Sequence, residues 1–141
     1  MTQLNPFHLA FPVDDLNVAR DFYIGVLGAT EGRSSNLWID FNLFGHQIVA
    51  HLIEKAPEMS GYSNPVDGDN IPIPHFGVVL PIEQWNYLKE RIKSKGWQFQ
   101  VEPKVRFSGT SGEQWSMFLK DPSGNSLEFK SFLNPEKLFE K

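Results

Sequence analysis

Along the first residues, Phe7, Leu9, Phe11 and Val13 alternate with His8, Ala10 and Pro12. That period of two predicts a half-buried strand. From Leu16 the period changes. Leu16, Ala19, Phe22, Tyr23, Val26 and Leu27 recur at spacings of three and four, one apolar stripe of a helix. Asp14 or Asp15 can cap its start, and Gly28 suits the left-handed position just past its end. Strand-like runs follow at Leu37–Phe41 and Gln47–Ile53, with Gly45-His46 as a turn between them. The plan then repeats. His75–Leu80 reads as a strand and Glu83–Lys95 as a helix, with Trp85, Leu88, Arg91 and Ile92 roughly in line before Gly96. Strands are predicted at Trp97–Glu102, at Gln114–Leu119 after the Ser108–Gly112 loop, and at Ser126–Phe132. The turn signal Asp121-Pro-Ser-Gly-Asn125 separates the last two. Asn134–Lys141 is a short helix or a frayed end.

Each copy opens with a histidine, and from histidine to closing glycine is 20 residues in the first and 21 in the second. A duplicated strand, helix and about three strands predicts an α+β domain rather than a parallel α/β sheet. Two such curved sheets pair edge to edge, with helices outside and a concave face inside. The 141 residues then form a single domain, with modules at about 5–55 and 74–133. Between them, Glu54–Pro74 is polar, holds four prolines and two glycines, and reads as a long loop of the kind that is often functional.

Composition narrows the chemistry. With no cysteine, disulfides, thiolate catalysis and sulfur-ligated metal are excluded, so any metal must be held by imidazole, carboxylate or backbone oxygen. A net charge of −4 without a basic stripe argues against a nucleic-acid partner. No apolar run approaches the roughly 20 residues of a membrane span, and the first residues lack the features of a signal peptide. A cytoplasmic domain acting on a small molecule is the expectation.

Strand phase nominates the chemical groups. If Phe7, Leu9 and Phe11 face the helix, His8 faces the hollow. If Phe76, Val78 and Leu80 face the helix, so does His75 face the hollow. Leu127 and Phe129 similarly leave Glu128 and Lys130 opposite, and His51 joins the same face with Gln47 and Val49. Buried without partners, the charged groups among these would be costly. A metal ion removes that cost, and two histidines with one carboxylate form the facial set of non-haem Fe(II) oxygenases. Mn²⁺, Zn²⁺ or Ni²⁺ suit the same donors. His46 falls in the opposite phase and reads as a turn residue. Arg106, Glu113 and Gln114 are either lining for the pocket mouth or a solvated loop.

Several segments carry a family resemblance: His8-Leu-Ala-Phe-Pro-Val-Asp-Asp-Leu, Ala19-Arg-Asp-Phe-Tyr, Val26-Leu-Gly28, His75-Phe-Gly-Val and Asp121-Pro-Ser-Gly-Asn-Ser-Leu-Glu128-Phe. They resemble the vicinal oxygen chelate superfamily, which includes glyoxalase I, extradiol ring-cleaving dioxygenases and bleomycin-resistance proteins. The resemblance implies paired βαβββ modules forming a curved, partly open mixed β-barrel, often in a homodimer, with His8, His75 and Glu128 as metal ligands. It is most similar to a small single-domain group described as predicted extradiol dioxygenases. That implies Fe(II), dioxygen, a small vicinal diol or catechol, and His51 as acid/base. Glyoxalase I normally has a Glu or Gln ligand at that fourth-strand place, and extradiol enzymes usually have a tyrosine where Phe118 stands. A metal-dependent lyase or isomerase and a metal-free small-molecule binding protein are the alternatives.

Overall fold

A computed structural model describes residues 4–54 and 62–141 of the chain, which falls into two compact units, Met1–Pro57 and Glu58–Lys141. In the first, β1 (His8–Val13) leads into α1 (Leu16–Arg20), then β2 (Thr30–Ser34), β3 (Trp38–Leu43) and β4 (His46–Leu52). The sheet order is β1-β4-β3-β2, with β1 parallel to β4 and the rest antiparallel. Asp15 caps α1, its Oδ1 accepting the Val18 amide at 3.0 Å. Past Arg20 the helix continues as a wider π-type stretch, Asp21–Val26, and Gly28 lies at φ 80° beyond it. Ala19, Phe22, Tyr23 and Val26 bury their stripe together with Phe11, Val13, Ile39, Phe41, Leu43, Ile48 and Ala50. Tyr23 stands 5.3 Å from Phe11 and 5.2 Å from Phe41, ring to ring.

The second unit repeats the topology. Its 75–80 segment pairs parallel to the last strand at Phe76 with Leu127 and Val79 with Lys130. Then come α2 (Ile82–Ser94), β7 (Val101–Arg106), β8 (Gln114–Lys120) and β9 (Ser126–Phe132), ordered β7-β8-β9. On one face Met117, Leu119, Leu127 and Phe129 are buried, as are Trp85, Leu88 and Ile92 of α2. The Trp85 indole donates to the Phe129 carbonyl at 2.9 Å. The β8–β9 turn is built by Asp121, whose Oδ1 accepts the amides of Ser123 and Asn125 and whose Oδ2 accepts the Asn125 side chain. That turn sets the register that places Phe118 opposite Glu128.

Several expectations need correction. Phe7 does not face the helix: it lies before β1 and is 62% exposed, while Val13 takes the last inward position. Thr30–Ser34 forms a strand although every residue in it is exposed, because an edge strand covered on neither face carries no apolar period. The strand expected at 97–102 lies at 101–106; the Trp97 indole turns instead to the Lys120 carbonyl at 2.9 Å. Pro103 is tolerated there because β7 is last in its sheet.

The long loop is largely a hairpin, β5 (Tyr62–Val66) and β6 (Asp69–Ile73), turning at Asp67-Gly68 with φ 45° and 89°. A two-residue turn with both φ positive is the favoured hairpin link, and Asp-Gly is its strongest signal. The prolines at 65 and 72 hid it. The part of the expected loop at 55–61 lies outside the described residues. The elements make the expected α+β fold with open sheets, mixed in the first unit, and among the described residues the sheets of neither unit close into a barrel.

Candidate metal centre

On the face of β8 and β9 turned away from Met117 and Phe129, Glu128 is 7% exposed, and its carboxylate is held at both oxygens. Ser116 donates its hydroxyl to Oε2 at 2.5 Å, and Oε1 is 3.1 Å from His75 Nε2. The other His75 nitrogen, Nδ1, lies 2.7 Å from the Pro72 carbonyl oxygen. A carbonyl only accepts, so Nδ1 carries the hydrogen, and the neutral ring presents a lone pair from Nε2 to Glu128. Two acceptors then face each other. Either a proton on Nε2 or a cation resolves the opposition, and orienting a ligand histidine through its second nitrogen is the usual device of metal sites. The donors therefore fit a divalent ion.

The metal-free pair keeps the proton instead. The Glu128 hydrogen bond raises the His75 pKa above 6.5, against the opposing effect of burial. Burial pushes Glu128 up, but the hydrogen bonds from His75 and Ser116 outweigh it and leave the carboxyl below 4.5. A raised imidazole contributes stability fully below 6.5 and loses it as pH rises through the folded value. A lowered carboxyl contributes fully above 4.5 and loses it as pH falls through its own. With chelator present, the melting-temperature gap between wild type and Glu128→Gln should be widest between pH 4.5 and 6.5 and shrink on both sides. A gap independent of pH would contradict the pairing.

In the first unit, His8 Nδ1 lies 2.9 Å from Gln47 Oε1, and Gln47 Nε2 donates to Asp40 Oδ2 at 3.3 Å. Asp40 fixes the amide with its oxygen toward His8. His8 is thereby held in the same tautomer as His75, with Nε2 left for a ligand. Neither Gln47 nor Asp40 was a sequence candidate; the signal available was the shared phase of Gln47 and His51 on one strand. Among the described residues no three histidine, aspartate or glutamate side chains come together as a metal-holding group. What the fold assembles is His75 with Glu128, and His8 with Gln47.

Register compares the two halves directly. His8 lies opposite Gln47, and Ala10 opposite Val49. Phe76 lies opposite Leu127, which sets Gly77 against Glu128. Val49 is therefore the counterpart of Glu128, and His51, opposite Pro12, is the counterpart of Lys130. His51 stands on the polar face, two residues or about 7 Å along the strand from that place. His46 is structural: its Nδ1 accepts the Phe7 amide at 2.9 Å. Arg106 and Gln114 are buried rather than solvated, whereas Glu113 uses Oε1 to accept the Gly109 amide. Phe118 is fully buried, with His75 edge-on to its ring at 5.1 Å.

Residues 6–129 match the profile of the Glyoxalase/Bleomycin resistance protein/Dioxygenase superfamily. The chain belongs to that superfamily. It is similar to a superfamily member from Alicyclobacillus acidocaldarius, a glyoxalase/bleomycin resistance protein/dioxygenase, with 33% identity, 96% of each chain covered and a TM-score of 0.81. Two fosfomycin resistance proteins share the fold. FosX from Listeria monocytogenes, complexed with Mn(II) and sulfate, has 21% identity, covers 98% of this chain and 96% of its own, and scores 0.67. FosX from Mesorhizobium loti has 20% identity, 98% coverage of each and a score of 0.65. No curated protein matches the chain. Among the described residues no helix is long and apolar enough to cross a membrane.

Proposed function

We propose that this superfamily member is a divalent-metal-dependent enzyme with His8, His75 and Glu128 as ligands, and that it cleaves a catechol or similar vicinal diol in the extradiol manner with Fe(II) and dioxygen. The observation that carries the metal reading is the opposition of His75 Nε2 and Glu128 Oε1, with Nδ1 already committed to Pro72. The recruitment of His8 rests on the family correspondence of the three residues. Val49, apolar where the first half could have supplied a carboxylate, favours three protein ligands over four and so leaves positions open for substrate.

Bound there, the ion would supply Lewis acidity and a template for two adjacent oxygens. The remaining work falls to the chain. Ser116 holds Glu128 Oε2 so that Oε1 stays aimed, Gln47 and Pro72 fix the imidazoles, and Phe118 packs against one side of the His75 ring. His51, an exposed imidazole on the polar face, takes the proton of a substrate hydroxyl; its distance from the Glu128-like position suits an acid/base better than a ligand. The working species is proposed to be a homodimer, which sedimentation equilibrium would confirm or remove.

A second reading has one observation in its favour: the Gln47 amide oxygen beside His8 could turn to become a fourth ligand, as in glyoxalase-type lyases. The structural likeness to FosX with Mn(II) makes manganese the alternative ion.

Anaerobic reconstitution with Fe(II), metal analysis and an oxygen-electrode screen of catechols test both. One iron per chain and oxygen uptake are expected, with His51→Ala lowering kcat about 10²–10⁴-fold at unchanged iron content. Turnover without oxygen uptake would favour the second reading; a protein that retains no metal would overturn the enzyme assignment.

A further inference from the structure

The polar face of the second unit is more cationic than a metal centre needs. Lys104, Ser116 and Lys130 lie in register across β7, β8 and β9, and Arg106 pairs with Gln114 in the next row but one. Arg106 is only 3% exposed at its side chain, yet its hydrogen bonding is incomplete. Nη1 donates to the Val66 carbonyl at 3.1 Å, while Nε is buried with no hydrogen-bond acceptor. Asp69 Oδ2 is 3.0 Å from Nη2, an ion pair made through a single oxygen. That same oxygen takes the Lys104 ammonium at 2.9 Å. One carboxylate thus answers two cations, and it comes from the β5–β6 hairpin with its side chain 30% exposed. The guanidinium carbon lies 5.9 Å from the centre of the Phe118 ring, and the same ring is touched by His75. Phe118 therefore joins the cationic group to the candidate metal pair.

A guanidinium is a planar fork that a carboxylate satisfies with two parallel bonds, and a single shared oxygen leaves part of that capacity unused. We propose that Arg106, with Lys104, is the subsite for a carboxylate carried by the substrate, and that Asp69 is the internal carboxylate it displaces. This deepens the metal-dependent reading, on which it rests: the substrate is a diol or catechol that also bears an acid group. Exchange of Asp69 for the substrate's carboxylate releases only the Asp69 contact, and the Val66 carbonyl still accepts from Arg106 Nη1 and holds the hairpin in place.

The test is calorimetric binding of 3,4-dihydroxybenzoate and of catechol to the full chain, with and without Fe(II) under anaerobic conditions. The carboxylate-bearing probe should bind tenfold or more tightly, a preference that Arg106→Lys erases while catechol affinity is kept. Asp69→Asn should tighten 3,4-dihydroxybenzoate several-fold, because the internal competitor is gone. Equal affinities in wild type, or weaker binding in Asp69→Asn, would overturn the subsite. If Arg106→Lys does not fold, judged by circular dichroism, Asp69→Asn decides alone. Inorganic phosphate displacing the probe better than acetate would overturn a carboxylate in favour of a phosphoryl group. The two proposals fail separately. A preference in a protein that retains no iron after reconstitution keeps the subsite and removes the metal enzyme; iron and oxygen uptake without a preference do the reverse.

Discussion

Glu128→Gln is expected to lower divalent-metal affinity at least 100-fold and to abolish the stabilisation that metal gives. The substitution keeps size and shape, so Ser116 and His75 retain a neighbour, but one acceptor oxygen becomes an NH₂ donor and the charge that answers the cation is removed. A metal present at 100 times its dissociation constant adds about 2.7 kcal/mol to folding when it binds the native state alone. For a chain of this length that corresponds to roughly 5–10 °C in melting temperature. Wild type should therefore melt about that much higher with Fe(II) or Mn(II) than with chelator, and Glu128→Gln should show almost no difference. Equal metal-induced shifts in both proteins would remove Glu128 from the ligand set. His8→Ala, measured the same way, tests the ligand that comes from the first unit.

Gly77→Ala should have the largest effect on stability, about 3 kcal/mol or more, a size reached only by a few mechanisms, of which steric overpacking is one. A Cβ built at Gly77 collides with the Glu128 carbonyl oxygen and crowds its carbonyl carbon and amide nitrogen. The collision is with backbone, which cannot swing aside as a side chain could. It falls inside the parallel ladder, between the bond from the Glu128 amide to the Phe76 carbonyl at 2.9 Å and that from Leu80 to the Lys130 carbonyl at 2.7 Å. To accept a methyl group, β9 must move away from the 75–80 segment, taking Glu128 from His75. Loss of metal binding should accompany the drop in denaturant midpoint. Gly25→Ala is the control, since a Cβ there meets nothing within 4 Å, and it should leave both unchanged. A Gly77→Ala protein with wild-type midpoint and full metal content would show that the close approach is not required.

These two expectations differ in how far they could be read from residues alone. Glu128 was nominated by phase: Leu127 and Phe129 are apolar neighbours, so the residue between them must face the other way. Gly77 carried no such signal. In a strand, glycine is compatible with a bulge, a bend or a close approach, and only the position of the β9 backbone selects among them.

The same division runs through the candidate site. His75 and Glu128 were nominated separately, and the fold brings their side chains to 3.1 Å of each other. Their partners were not legible. Ser116 reaches Glu128 because of the β8–β9 register, and Pro72 reaches His75 from the end of β6. His51 was placed by strand phase and by the family resemblance, and the register puts it two residues past the counterpart of Glu128. Arg106 read as a solvated loop or pocket rim because a charged residue beside Phe107 and Ser108 has no local reason to be buried. The hairpin at 62–73 covers it, and that hairpin is exposed along most of its length.

By itself the sequence determined the elements whose faces differ in polarity: β1, β8, β9 and both helices, a cap at Asp14 or Asp15, the helix end at Gly28, and the duplication that pairs one histidine with each half. Those features depend on neighbours within a turn or a few residues, where burial leaves a period. Only the tertiary structure decided the strands covered on neither side, the registers, and which polar groups meet. Such pairings are set by backbone contacts between distant segments, and a hydrogen bond from a carbonyl carries no trace of the side chain it holds.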